Sequence, residues 1–432
     1  MPDHPRGQLV AIGAAAVLTL PGVAVRLSGG HPAEVLAAVI FGAAVVGAAF
    51  LMAWGAEVLQ LDLSQGLSLA VLALIAVLPE YAVDFTFAWK AGADPDTYAS
   101  LALANMTGGN RLLIGIGWSL VVLLAAWRVR RIARERGYSG PVDTDVALDR
   151  SHSVEIAFLA LATVFSFTLP LQSTLPLWSG AILVTIFVLY MVRISRAPAE
   201  EPHLVGPARL VGALPPRRRR VAVGCMLVGA AGVILLVAEP FAEALVETGE
   251  NFGVSTFLLV QWVAPLASET PELLVAALFA WRLNTGAGLG TLVSSKVNQW
   301  TLLVGTLPFV FAISAGGLHG LPIDSVQREE LFLTAAQSAF AVAILANRAI
   351  DVREATLLLV LFLGQFVLGG VVPESVHGIE RVVVASLYLL LAGWIVLRQR
   401  RALPRLFRDG FFTPVHDMIH DPSDRRPESV VP

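Results

Sequence analysis

The sequence predicts an all-α polytopic membrane protein of about twelve transmembrane helices. These form two inverted-topology five-helix repeats, with one extra helix at each end. Hydrophobic residues make up 56% of the 432 residues, and the mean hydropathy is +0.71. The chain contains many separate apolar runs of about 20 residues, the length that a helix needs to cross a bilayer. Two similar segments, each with a Pro-Glu step, also recur about half a chain apart.

The apolar runs predict the spans and the domain boundaries. The predicted spans are 8–27, 33–58, 65–89, 97–127, 154–170, 175–194, 220–246, 253–281, 286–315, 329–347, 355–373 and 379–398. The first run also resembles a signal peptide, because Arg6 precedes it. The predicted domains are an N-terminal extra span (1–30), a first repeat (33–198), a cytoplasmic linker (199–219), a second repeat (220–373), a C-terminal extra span (379–398) and a disordered tail (409–432).

Arginine clusters predict the orientation. They lie at 128–136, 193–220, 348–353 and 398–408. Cytoplasmic loops carry an excess of arginine and lysine. With twelve spans and a cytoplasmic N-terminus, all four clusters face the cytoplasm, so both termini are predicted to be cytoplasmic in a cell-membrane protein. Corresponding helices then differ by five, an odd number, in the order of the spans, which makes the repeats inverted.

The repeated segments carry carboxylates into apolar surroundings. The first reads ALIAVLPEYAVD (73–84) and the second APLASETPELLVA (264–276), which places Glu80 and Glu272 192 positions apart. A charged side chain at the bilayer centre costs about 2.5–3.5 kcal/mol on insertion scales, so such residues usually have a function. Duplicated segments interrupted by proline predict an ion site at the interface between inverted repeats.

Each motif glutamate has a second acid near it in sequence. Asp84 follows Glu80 by four residues, and Glu269 precedes Glu272 by three, so each pair lies on one helix face. Proline removes a backbone donor and frees carbonyls, and oxygen atoms are the ligands that hard cations prefer. The alternative for either pair is a solvated helix end. Two acids in a dry place do not both stay ionised unless a cation or proton joins them.

The next helix of each repeat carries small and polar residues. In the first repeat they are Asn105, Thr107, Gly108, Gly109 and Asn110; in the second they are Thr291, Ser294, Ser295, Asn298 and Gln299. Glycine and serine permit close helix packing, which for the two glycines is a sufficient explanation. Asparagine and serine oxygens can also complete the ligand shell of a cation.

Together, the two Pro-Glu steps and the polar helices resemble the calcium/cation antiporter superfamily, the group of the sodium/calcium exchangers. The resemblance implies the five-plus-five inverted fold and implies that Glu80 and Glu272 bind calcium and sodium. It aligns the polar motif of that family over 104–110 and over 290–296. Asn110 is then the implied ligand of the first repeat, and Ser268 takes the place of the motif threonine in the second.

Several positions depart from the family pattern. Ala76-Val77 replaces a Thr-Ser pair, Glu269 replaces a serine, Lys296 replaces the last asparagine of the second motif, and Arg111 stands where an apolar residue is usual. Lys296 is one of only two lysines, against twenty-eight arginines. We hypothesise that it lies beside Glu269 or Glu272 as a built-in cation and takes part in proton coupling. The alternative is a fixed salt bridge with Glu269.

These observations predict a secondary-active antiporter that exchanges a hard cation against sodium or protons. Calcium is the cation that the resemblance implies. The predicted partners are lipid and inorganic cations, with no nucleic acid and no cofactor apart from the transported ions. The pattern GxxxxGK[ST] is absent, so we expect no ATP hydrolysis. We expect no enzyme, because catalysis does not need an inverted repeat, whereas alternating access uses one. The alternatives are a Na⁺/H⁺ antiporter on the same fold and a non-transporting intramembrane protein with catalytic carboxylates.

Overall fold

The structure is a computed structural model that describes residues 5–62, 78–138, 140–196, 204–252, 255–371 and 376–419. Before residue 200 its helices are α1 (Pro5–Ser28), α2 (Glu34–Leu59), α3 (Leu78–Ala91), α4 (Pro95–Leu112), α5 (Ser119–Glu135), α6 (Ser153–Ser166) and α7 (Leu177–Ile194). After residue 200 they are α8 (Pro207–Gly212), α9 (Pro216–Phe252), α10 (Thr256–Trp281), α11 (Thr285–Asn298), α12 (Val304–Ala315), α13 (Ser325–Ile344), α14 (Val352–Val371), α15 (His377–Arg398), α16 (Leu403–Phe411) and α17 (Val415–Ile419).

Short segments connect these helices. Turns of 3₁₀-helix lie at Arg150–His152, Leu169–Leu171 and Leu345–Asn347, and two-residue strands lie at Val146–Ala147, Thr174–Leu175, Leu321–Pro322 and Ala349–Ile350. The first and last of these strands pair antiparallel, with Val146 opposite Ile350.

The described helices confirm the polytopic all-α fold class. Among the described residues, eleven helical segments are long and apolar enough to cross a membrane. The predicted span 65–89 is described only from Leu78, as α3; the rest of it, with Ala76 and Val77, lies outside the described residues. Each of the other predicted spans corresponds to one of the eleven segments.

The chain divides into two compact units. Unit 1 contains Met1–Gly109, Pro198–Glu272 and Thr306–Pro322, and unit 2 contains Asn110–Ala197, Leu273–Gly305 and Ile323–Pro432. The boundaries fall inside α4 and α10, so each unit holds residues from both predicted repeats. A carboxylate from each repeat, Glu80 and Glu272, therefore belongs to unit 1.

Small residues allow the helices of unit 1 to pack closely. Helix α2 packs along α9, and α1 packs against α2. A Cβ atom added at Gly47 of α2 would lie 2.5 Å from the carbonyl oxygen of Ala15 in α1. At Gly108 of α4, an added Cβ would lie 1.8 Å from the Gln261 carbonyl oxygen of α10. The packing role predicted for Gly108 thus corresponds to a direct backbone approach.

In unit 2, α13 packs against α15, and α14 packs against α5. The C-terminal segment also belongs to this unit. We predicted disorder from residue 409, but α16 and α17 are helical as far as Ile419, and 420–432 lies outside the described residues. A long-range ion pair anchors α16, because Asp409 is buried and accepts hydrogen bonds from Arg150 Nε at 2.8 Å and Nη2 at 3.0 Å.

Two more features differ from the sequence predictions. The predicted linker contains α8 and the start of α9, although 197–203 lies outside the described residues. Helix α10 continues through Pro265 and Pro271 without a break, so the proline of the second motif removes a donor without ending the helix. Transmembrane helices tolerate proline where neighbouring groups satisfy the freed backbone.

Both polar helices change to π-helix just after their motifs. The π-helix Leu113–Trp118 follows α4, and the π-helix Gln299–Leu303 follows α11. Their starts are separated by the same 186 residues that separate Asn110 from Lys296. This shared offset supports the alignment of the two motifs, and single-turn π segments are frequent at functional sites.

Candidate cation site

Glu80 is a buried acid of unit 1. Only 4% of the Glu80 surface is exposed, and among the described residues neither carboxylate oxygen has a hydrogen-bond partner. The carboxyl group lies within electrostatic range of Glu272, which the second repeat supplies, and of Asp84. A buried carboxylate that accepts no hydrogen bond is stable only with a bound proton or a nearby cation.

Asp84 and Asn105 extend this group of oxygen atoms. Asn105 Nδ2 donates a hydrogen bond of 2.8 Å to Asp84 Oδ1, and both residues are buried. Within the described residues, Asp84 Oδ2 and Asn105 Oδ1 have no hydrogen-bond partner. One amide thus fixes the Asp84 side chain and leaves two oxygen atoms available as ligands.

Helix α10 supplies the matching residues of the second repeat. Glu269 is fully buried, and Ser268 beside it is 3% exposed, whereas Glu272 is partly exposed. The Ser268 hydroxyl donates to the Pro265 carbonyl at 3.2 Å, which leaves its lone pairs available. Thr107, also in unit 1, donates similarly to the Leu103 carbonyl at 2.8 Å.

The possible cation ligands of unit 1 are carboxylate, amide and hydroxyl oxygen atoms, which are the ligands that a hard cation prefers. Among the described residues, no three His, Cys, Asp or Glu side chains lie close enough to hold a metal ion as placed. A divalent ion bound here must therefore draw the carboxylates together or take ligands from amide, hydroxyl and backbone oxygens.

Lys296 and Asn110 meet in unit 2. Lys296 is fully buried, and its Nζ donates to Asn110 Oδ1 at 2.7 Å and to the Asn110 carbonyl at 3.1 Å. The ammonium also lies 4.5 Å from the ring centroid of Trp300, a cation–π distance. The oxygen atoms that the resemblance assigns to a transported ion thus contact a tethered cation. The predicted contact of Lys296 with Glu269 or Glu272 stays a prediction.

The other predicted residues of unit 2 are also buried. Ser295 and Asn298 lie on α11 on either side of Lys296, and the Ser295 hydroxyl has no hydrogen-bond partner among the described residues. Arg111 is paired with Glu330, with 2.7 Å between Nη1 and Oε2. The sequence interpretation missed Glu330, Gln365 and Arg381 as members of this buried group. Their charge and amide groups inside apolar runs were the available signal.

Comparison with known proteins identifies the family. The model of the sodium/calcium exchanger protein family matches residues 34–195 and 222–369. A crystal structure of the H⁺/Ca²⁺ exchanger CAX is 40% identical to this chain; the match covers 96% of this chain and 99% of that one, with a TM-score of 0.85. No match is found among curated proteins.

More distant structures share the fold. A structure of native YfkE is 16% identical, with a TM-score of 0.55, and covers 88% of this chain and all of that one. A crystal structure of the Ca²⁺/H⁺ antiporter protein YfkE is 15% identical, with a TM-score of 0.58 over 88% of this chain and 99% of that one. The chain belongs to the sodium/calcium exchanger family, within the calcium/cation antiporter superfamily.

Proposed function

We propose that this membrane protein exchanges Ca²⁺ for H⁺ and that Glu80 and Glu272 bind both ions in turn. The observation that carries the proposal is the buried Glu80 carboxyl, which accepts no hydrogen bond from the described residues and lies in electrostatic range of a carboxyl from the other repeat. The 40% identity to an H⁺/Ca²⁺ exchanger supports the choice of ions.

Competition between ions follows from electrostatics. Two neighbouring carboxylates in an apolar place resist joint ionisation, because each disfavours the charge of the other. A divalent cation neutralises two negative charges, and so do two protons. The same acids therefore bind either Ca²⁺ or protons, and binding one ion releases the other. Alternating access of this site to the two sides of the membrane turns the competition into exchange.

Lys296 favours protons over sodium as the coupling ion. Its ammonium donates to both oxygen atoms of Asn110, and those oxygens would otherwise be ligands for a monovalent cation. Because the lysine is covalently attached, it competes with free sodium at all concentrations. A purely structural Lys296, which only holds Asn110 in place, would leave the sodium dependence unchanged on its removal.

Na⁺/H⁺ exchange is the second candidate. Among the described residues, no three acidic side chains lie close enough together to hold a metal ion. This arrangement favours a monovalent ion, because such an ion needs fewer charged ligands than Ca²⁺ does. An intramembrane enzyme is not proposed, because the named relatives are exchangers.

The arginine clusters support a cytoplasmic location for both termini, which protease protection in oriented vesicles would test.

The test uses purified protein in liposomes with an imposed pH gradient. We expect ⁴⁵Ca²⁺ uptake that follows the proton gradient without sodium on either side. Glutamine carries neither the negative charge that attracts Ca²⁺ nor a carboxyl proton, so Glu80→Gln should abolish the proton-driven ⁴⁵Ca²⁺ uptake. Glu135→Gln is the matched control, because Glu135 is exposed and pairs only with Arg131 among the salt bridges of the described residues.

Two results would contradict the proposal. Ca²⁺ flux that requires sodium and ignores the pH gradient would indicate sodium coupling. Sodium flux driven by the proton gradient, with no Ca²⁺ flux, would instead support the second candidate.

A further inference from the structure

A second group of buried charges lies in unit 2. Arg111, only 1% exposed, directly follows Asn110 in the chain. Its Nη1 donates to Glu330 Oε2 of α13 at 2.7 Å, and its Nη2 donates to the Gln365 side-chain oxygen of α14. Side chains of two helices, each more than two hundred residues later in the sequence, thus hold the guanidinium in place.

Glu330 also binds the last long helix. Arg381 of α15 donates through Nε to Glu330 Oε1 at 2.8 Å and through Nη1 to Glu329 Oε2 at 2.9 Å. Both oxygen atoms of one buried carboxylate are therefore bound by arginines of different helices. Because α15 corresponds to the extra span outside both predicted repeats, this chain of ion pairs links an added helix to the helix that carries Asn110.

The backbone of Arg111 is held as well. Gln337 Nε2 of α13 donates to the Arg111 carbonyl at 3.3 Å. This carbonyl lies two residues before the π-helix Leu113–Trp118, where the hydrogen-bond pattern of the α-helix changes. Side chain and main chain of Arg111 are thus both anchored, which limits the movement of the adjacent Asn110.

Stability alone is a weak explanation for these charges. Burying ion pairs costs desolvation energy, and apolar replacements of similar volume are often as stable or more stable. The buried chain of Arg111, Glu330 and Arg381 is therefore better explained by a geometric requirement. The group that needs this geometry is Asn110, whose oxygen atoms bind the Lys296 ammonium.

We propose that Arg111, Glu330 and Arg381 form a buried ion-pair chain that positions Asn110, so that α15 sets the cation affinity of the transporter. Arg381 is a positioning residue, because it acts through Glu330 and Arg111. The inference extends the proposed function by naming the residues outside the cation site that determine ion affinity.

The experiment compares three variants of the full-length protein. Arg381→Gln removes the charge, Arg381→Lys keeps the charge but lacks the rigid fork of N–H donors of the guanidinium, and Arg398→Gln is the control. Arg398 lies at the other end of the same helix, where its guanidinium stacks over Trp394 at 4.1 Å. The half-saturating concentration of Ca²⁺, or of Na⁺ if that ion is transported instead, is measured at equal amounts of folded protein.

Lysine labelling supplies a readout that does not depend on transport. The chain has only two lysines, so acetic anhydride labelling followed by mass spectrometry reports each of them separately. Lys90 serves as the internal reference, because its side chain is 20% exposed, whereas Lys296 is buried. If Asn110 loses its position, the Lys296 ammonium loses its two hydrogen bonds to Asn110 and becomes more reactive.

We expect Arg381→Gln to raise the half-saturating concentration about tenfold, the usual effect of losing a charged hydrogen bond, and to increase Lys296 labelling. Arg381→Lys should fall between Arg381→Gln and the wild type, and Arg398→Gln should match the wild type. The inference is overturned if Arg381→Gln, or Arg381→Lys where the first variant does not fold, keeps wild-type affinity and labelling. A wild-type protein that transports no cation contradicts the proposed function, and labelling alone then decides this inference.

Discussion

Replacing Lys296 by asparagine tests whether the buried ammonium determines the coupling ion. The substitution removes the donor of the 2.7 Å and 3.1 Å hydrogen bonds to Asn110 and the contact with Trp300 at 4.5 Å. It leaves a neutral amide at the position. Lys90→Gln, which changes the only other lysine, is the matched control.

The energies indicate which measurement is informative. Two hydrogen bonds from a charged donor contribute about 1.5–3 kcal/mol each, and the cation–π contact adds about 0.5–2 kcal/mol. Burying an ammonium costs several kcal/mol, so the two effects largely cancel. We therefore expect a change in unfolding free energy below about 2 kcal/mol in either direction, together with a large change in ion selectivity.

The assay measures Ca²⁺ flux in liposomes across a series of pH and sodium gradients. Without the ammonium, a dissolved cation no longer competes with Lys296 for the Asn110 oxygen atoms, so Lys296→Asn should gain sodium-dependent flux and lose part of its pH dependence. Lys90→Gln should retain the wild-type profile. Unchanged pH and sodium dependence in Lys296→Asn would show that Lys296 is only a structural contact.

Two further predictions concern folding. Gly108→Ala should prevent normal assembly, because its Cβ would lie 1.8 Å from the Gln261 carbonyl oxygen. Gly224→Ala should fold normally, because outside the backbone of its own helix no described atom lies within 4 Å of the added Cβ. Wild-type thermal stability of Gly108→Ala in detergent would refute this prediction. Hydrogen bonds from Arg219 lower the pKa of Asp62 to about 2, below the ordinary value of about 4. The ionised Asp62 carboxylate therefore stabilises the fold fully above about pH 4, and this stabilisation is lost as the pH falls through about 2. Asp62→Asn should lower the unfolding free energy by about 1 kcal/mol at pH 7 and progressively less below pH 4. An equal loss at every pH would contradict this prediction.

The helices and the acids were accessible to sequence reasoning because both depend on local patterns. Apolar runs of sufficient length predict spans directly, and a carboxylate inside such a run indicates a site. The structure brings Glu80 and Glu272 into electrostatic range, as the duplicated motifs indicated. Their role as ion ligands remains a prediction.

Long-range pairs were less accessible. Nothing local in the sequence connects Arg111 with Glu330, which are 219 residues apart, or Arg150 with Asp409, which are 259 apart. The second pair anchors Asp409 of α16, in the part of the chain that we predicted to be disordered. Local pattern also overstated the effect of Pro271, because α10 continues through it.

The most direct test of the central claim is an experimental structure with a bound cation. Crystals soaked in Ca²⁺ and measured for anomalous scattering should show an ion with oxygen ligands from both Glu80 and Glu272 at about 2.3–2.6 Å. An ion bound elsewhere, with the two carboxyl groups turned away from each other, would contradict the account.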